Sequence, residues 1–167
     1  VKERLVETTR SIRMGDVGDF TNFMGAVIDK ASFQSIQADL DAAAADKECT
    51  ILAGGKCDDS VGYFIEPTIF QTTNPRHRLL KEEIFGPVLA VIPYDGDDAA
   101  VQLANDSIYG LSGAVWTGDD ERGVSLARRI RTGTFAVNGL GMNMAAPFGG
   151  FKQSVIGRER GPEGLTP

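Results

Sequence analysis

The chain predicts an α/β fold, three-layered with helices on both faces of a mostly parallel sheet. Three observations support this. Val88 to Ile92 is an unbroken apolar run of strand length and reads as a buried strand. Two further strand-like runs, Ser112 to Trp116 and Thr134 to Asn138, follow it. Single helical segments separate the three: Asp97 to Asp106, and one capped by Asp119 that runs to Arg131. Strands that alternate with lone helices need crossovers, and right-handed crossovers give parallel pairing.

The first half supplies the remaining elements. Val1, Leu5 and Ile12 put an apolar stripe on a helix that ends near Met14-Gly15. Asp29 or Ser32 can cap a second helix, on which Phe33, Ile36, Leu40 and Ala43 recur at helical spacing. Thr50 to Ala53 reads as a short strand closed by Gly54-Gly55. Tyr63 to Phe70 reads as another, and Pro67 inside it argues for an edge position or a bulge. Ligands of such sheets gather at the carboxyl ends of the strands. Asn138 ends one strand, so the loop Gly139 to Gly150 is the expected place for a site. Residues 151–167 are polar and Gly-rich without periodicity, and 1–167 reads as a single partial domain.

Composition narrows the function. An apolar content of 42% and a charged content of 24% are ordinary for a globular protein. A net charge of -6 speaks against nucleic acid, which needs a basic stripe. Arg128, Arg129 and Arg131 are the densest basic cluster, and at a helix end they complement its dipole. No apolar run approaches the roughly 20 residues that cross a bilayer, so no membrane partner is expected. Val1 opens into a helix without a leader, while the missing initiator Met suggests a segment of something longer. Cys49 and Cys57 make no disulfide framework and fit reduced thiols in a cytosol-like compartment.

The most informative string is Lys81-Glu82-Glu83-Ile84-Phe85-Gly86-Pro87-Val88. In an extended segment residues i and i+2 point to the same side. Glu83 and Phe85 can therefore face one ligand, the acid taking two hydroxyls and the ring packing on something flat. A ribose diol joined to a nicotinamide fits both. The plain alternative is a charged run on a solvated face. Against it stands the direct entry into an aromatic and a Gly-Pro turn.

Other motifs carry less. Gly139 and Gly141 lack the third glycine and the following helix of a dinucleotide fingerprint. Met142, Met144 and Phe148 are costly to leave in water, so they are expected to line a cleft or meet a neighbouring domain. Gly54-Gly55-Lys56-Cys57 lacks the earlier glycine of a phosphate loop and reads as a turn. Cys49 and Cys57 have no basic partner in sequence to hold a thiolate and read as inert. His77, between Arg76 and Arg78, has no Cys or Asp nearby in sequence for a triad. One His and two Cys at these separations make no zinc site.

Three ordered blocks together resemble the aldehyde dehydrogenase superfamily, in the back part of its catalytic domain. Lys81 to Val88 is similar to the family's cofactor motif. Tyr109 to Trp116, continuing through Gly133 to Asn138, resembles the sheet that follows it. Pro147-Phe148-Gly149-Gly150-Phe151-Lys152, with Gly157-Arg158-Glu159, resembles the closing motif. The first half, including Phe23 to Asp29 and Ile51 to Ser60, looks like the pyrroline-5-carboxylate (glutamate semialdehyde) dehydrogenases of proline breakdown. In the second half, Met142-Asn143-Met144-Ala145-Ala146 and Phe151-Lys152 depart from that branch and resemble general aldehyde dehydrogenases.

The resemblance implies roles for particular residues. Glu83 matches the acid that holds the nicotinamide ribose, and Phe85 the ring that borders the nicotinamide. Phe148 and Met144 match the substrate entrance, and Gly149 the turn that brings the aromatic there. It implies NAD or NADP as cofactor, an aldehyde substrate, a homo-oligomeric parent, and a cytoplasmic location (the mitochondrial matrix in a eukaryote). The family's thiolate chemistry uses a Cys after a Gln-Gly-Gln type segment, and neither Cys49 nor Cys57 has that context. The chain by itself is therefore expected to be inactive. Two rivals remain: a non-catalytic interaction or scaffold module that retains the fold, and a self-sufficient doubly wound domain.

Overall fold

A computed structural model describes residues 1–141, 143–155 and 157–165. They form two compact units, Val1–Pro93 and Tyr94–Pro167. The first runs through α1 (Lys2–Ser11), α2 (Lys30–Ala45), β1 (Cys49–Ala53), β2 (Cys57–Asp58), β3 (Phe64–Ile65), β4 (Thr68–Thr72), a 3₁₀ turn (Arg78–Leu80) and β5 (Val88–Val91).

Local chemistry sets α2. Asp29 is its N-cap and accepts the Ser32 N–H at 2.8 Å. The hydrogen bonds from Ser32 hold the Asp29 carboxyl below its usual range. Phe33, Ile36, Leu40 and Ala43 are all buried, as their spacing predicts. With Ile65 and Phe70 they form the core of this unit.

β4 lies between β1 and β5, antiparallel to the first and parallel to the second. Its successive side chains alternate between faces. Phe70 enters the α2 cluster. Gln71, pointing the other way, accepts from Lys2 Nζ of α1 at 3.2 Å, and α1 packs on β1 and β4. Helices therefore cover both faces of β4, and the predicted layering holds in this unit.

Four sequence expectations need correction here. The first helix stops at Ser11, because Arg13 and Met14 turn to pair with Phe23 and Met24. Tyr63 to Phe70 is two strands, β3 and β4, interrupted at Glu66-Pro67. β4 is central rather than at an edge, and the bulge falls in its partner β1, between Ile51 and Ala53. The apolar run at β5 is an edge strand with Leu89 exposed, not a fully buried one.

The second unit contains α3 (Gly96–Asn105), β6 (Ser112–Val115), α4 (Asp120–Ala127), β7 (Thr134–Val137) and a 3₁₀ turn (Pro162–Leu165). β6 and β7 pair in parallel, Ser112 opposite Thr134. α4 packs on both, with Gly123 and Leu126 buried. Asp119 caps α4 by accepting the Arg122 N–H at 3.0 Å. The helix ends at Ala127, short of the predicted Arg131, because Asn105 of α3 takes over the backbone beyond it. Its Nδ2 donates to Arg129 O and its Oδ1 accepts from Arg131 N, both at 2.8 Å. Arg129, expected to complement the end of its own helix, pairs with Asp98 of α3, and Arg122 in the first turn of α4 pairs with Asp97.

Candidate functional site

Glu83 and Phe85 lie in the irregular segment between the Arg78–Leu80 turn and β5. Ile84 between them packs against the core cluster of the first unit. Glu83 and Phe85 are exposed, Phe85 by 88%. This out–in–out alternation turns the acid and the ring away from the core together.

The turn that follows holds that arrangement. Gly86 N donates to Ile84 O at 2.7 Å and Val88 N to Gly86 O at 2.8 Å, two successive three-residue turns. Pro87 O then accepts Thr68 N at 2.9 Å, which leads the chain into β5. A Cβ on Gly86 would stand 2.5 Å from Ile36 Cδ1, so glycine is what lets the turn lie on α2. Gly86→Ala is expected to destabilise the unit by about 1–3 kcal/mol through overpacking. Ile36→Val should recover part of that loss in a double-mutant denaturation cycle. An alanine variant as stable as the parent would refute the contact.

The expected loop of the second unit starts at Asn138, whose φ of 53° is left-handed. Its side chain splices β7 to the entry of α4. Oδ1 accepts from Thr117 N at 2.8 Å, and Nδ2 donates to Thr117 O and Asp120 Oδ1, both at 2.9 Å. Phe148 exchanges two backbone hydrogen bonds with Glu159 and takes the Arg160 guanidinium over its ring, 5.6 Å from the centroid. With Leu111, Trp116 and Leu140 it lines an open groove of about 520 Å³ along β6 and β7. Met144 is exposed, its sulfur 3.1 Å from Arg160 Nη1. Met142 lies outside the described residues.

Gly149 and Gly150 are buried. The Gly149 carbonyl lies where a Cβ on Gly133 would have to go, so backbone meets backbone at this point. Lys152, at a φ of 58°, donates from Nζ to Asn105 O and Ser107 O, both at 2.9 Å. It thus satisfies carbonyls at the end of α3 while anchoring the chain after Gly150. Lys152 stands far from α3 along the chain, so no local sequence pattern signals this role.

The thiols and the histidine belong to the first unit. Burial pushes both thiols up, with Asp46 adding to the effect at Cys49 and Asp41 and Glu66 at Cys57. His77 is buried, its Nε2 3.3 Å from Asp46 Oδ2 and its Nδ1 accepting from Leu79 N at 3.2 Å. Sequence proximity missed this carboxylate, which arrives from the end of α2. Among the described residues no group of three or more His, Cys, Asp or Glu could hold a metal ion. No helix among them is long and apolar enough to cross a membrane.

A sequence model of the aldehyde dehydrogenase family matches residues 1–167. The chain belongs to the aldehyde dehydrogenase family. Its relatives include geranial dehydrogenase of Castellaniella defragrans, 39% identical over 99% of this chain and 34% of that protein. Human mitochondrial delta-1-pyrroline-5-carboxylate dehydrogenase is 42% identical over 92% of this chain and 29% of that protein. Among solved structures, a Staphylococcus aureus betaine aldehyde dehydrogenase in complex with NAD+ superposes with a TM-score of 0.91 at 38% identity. That match covers 98% of this aldehyde dehydrogenase family chain and 33% of the Staphylococcus aureus protein. The chain therefore spans about a third of the length of these relatives.

Proposed function

We propose that this chain is the nicotinamide-gripping piece of the catalytic domain of an NAD(P)-dependent aldehyde dehydrogenase. The observation that carries the reading is the exposed pair Glu83 and Phe85, presented on either side of Ile84, which is half-buried against the core. The Glu83 carboxylate is suited to accept from two vicinal ribose hydroxyls, and the Phe85 ring to pack on a flat heterocycle. The cofactor, when bound, supplies the acceptor for the hydride of the aldehyde. NAD is favoured by the solved relatives that hold NAD+. Phe148, Met144 and the Gly149 turn contribute to the substrate entrance. Cys49 and Cys57, pushed away from the thiolate form, leave the nucleophile to be supplied from outside these residues. The chain alone is then inactive, and its parent works as a soluble homo-oligomer of the cytoplasm or the mitochondrial matrix.

Leu111, Trp116, Leu140 and Phe148 along the groove favour an uncharged, apolar aldehyde. The similarity to the human pyrroline-5-carboxylate enzyme supports glutamate semialdehyde as a second reading. The test is reduction of NAD+ and NADP+ by the complete dehydrogenase with hexanal and with glutamate semialdehyde. Faster turnover of hexanal supports the apolar reading, and the reverse order the second. No cofactor reduction with either aldehyde would count against a dehydrogenase of this kind. It would favour the non-catalytic scaffold.

A further inference from the structure

We propose that His77 is a positioning residue for the cofactor motif. Its neutral ring caps the turn from which Glu83 and Phe85 are presented, and protonation of the ring releases that cap. The inference rests on the cofactor reading of Glu83 and Phe85 given above.

Hydrogen bonding fixes the form of the ring. His77 Nδ1 accepts the Leu79 N–H at 3.2 Å, so in the neutral ring the proton sits on Nε2. Nε2 in turn stands 3.3 Å from Asp46 Oδ2. One tautomer therefore serves both neighbours. A proton added to Nδ1 would point a second donor at the Leu79 N–H, so the ring must withdraw from the turn. Asp46 rewards the withdrawn, charged ring, which makes the exchange one of a backbone cap for an ion pair.

The capped turn is short and leads straight to the motif. Leu80 N donates to His77 O, and Lys81 N and Glu82 N both donate to Arg78 O. Arg78 reaches Asp39 of α2 at 2.7 Å and Glu82 at 2.6 Å, and Leu79 packs against the core. Glu83 follows directly. The charged and titratable groups around the ring are Asp46 and Asp39 from α2 and its end, and Arg76, Arg78 and Glu82 from its own segment. Beyond Asp46 lies the Cys49 thiol, and Glu48 holds the preceding turn through Asn74.

The test uses the complete dehydrogenase, with NAD+ affinity and hydrogen exchange of residues 78–85 followed from pH 8 to 5.5. Acidification of the parent is expected to weaken NAD+ binding by about threefold to tenfold and to speed exchange, the loss of one helix-cap bond. His77→Ala should show the weakened binding at both ends of that range. His77→Asn, whose Oδ1 can accept from Leu79 N but does not titrate, should restore most of the affinity and flatten the profile. A His77→Asn protein with the parent's pH profile overturns the inference, and so does a parent with a flat profile. Changed exchange without changed affinity also overturns it, leaving the cofactor reading untouched. Glu83→Gln with parental affinity and parental hydride transfer overturns the cofactor reading instead.

Discussion

Glu83→Gln in the complete protein is expected, on the proposed cofactor reading, to slow hydride transfer by about 10- to 100-fold in a single turnover, the loss of a charge-assisted hydrogen-bond pair. The side chain is exposed and flanks a half-buried isoleucine, so the substitution removes charge without disturbing the core. Stability should stay within about 0.5 kcal/mol of the parent. That separation makes the experiment decisive: a slower hydride step in a protein of unchanged stability assigns the loss to cofactor positioning. An unchanged hydride step would remove Glu83 from the site.

Phe70→Ala should have the opposite signature. Phe70 is 0% exposed at the centre of the three-stranded sheet, inside the cluster formed with Phe33, Ile36, Leu40 and Ile65. Truncating it leaves a cavity that costs about 3–5 kcal/mol, a large share of the total stability of a domain. Ile84 leans on the same cluster, so the cofactor motif should loosen with it. The denaturant midpoint and the exchange protection of residues 83–85 should fall together. A midpoint that does not move would mean that this cluster is not what holds the unit. Phe85→Ala, at an exposed site, is the matched control for loss of an aromatic ring.

Local patterns in the sequence carried much of this architecture. The stripe Phe33, Ile36, Leu40, Ala43 and the Asp29 cap are read from helical periodicity and side-chain chemistry alone, and they stand where predicted. The alternation of strand and helix likewise announced the parallel pair β6–β7 around α4, whereas the parallel pairing of β4 with β5 was not foreseen. What escaped was decided by distant partners. Tyr63 to Phe70 looks continuous, yet β3 pairs with β2 while β4 joins β1 and β5. α4 is cut short by Asn105, whose reach over Arg129 and Arg131 no local pattern records.

The same division runs through the candidate site. The shared exposure of Glu83 and Phe85 was legible because a two-residue spacing has a fixed geometrical meaning in extended chain. His77 and Asp46 were not, since a loop and the end of a helix come together only in the fold. Asn138 drew notice as a strand end, but its splint to Thr117 and Asp120 depends on a left-handed backbone that sequence only hints at.

The out–in–out arrangement at residues 83–85 also bears on how such a motif can persist. Ile84 is under the scrutiny of folding, because its loss would be felt throughout the core. Glu83 and Phe85 contribute little to that core, so random substitution there would pass unnoticed by any selection for stability. An aromatic ring left in solvent is a standing liability with no structural compensation inside its own unit. On the proposed reading, the work it does for a ligand is what would keep it from drifting away.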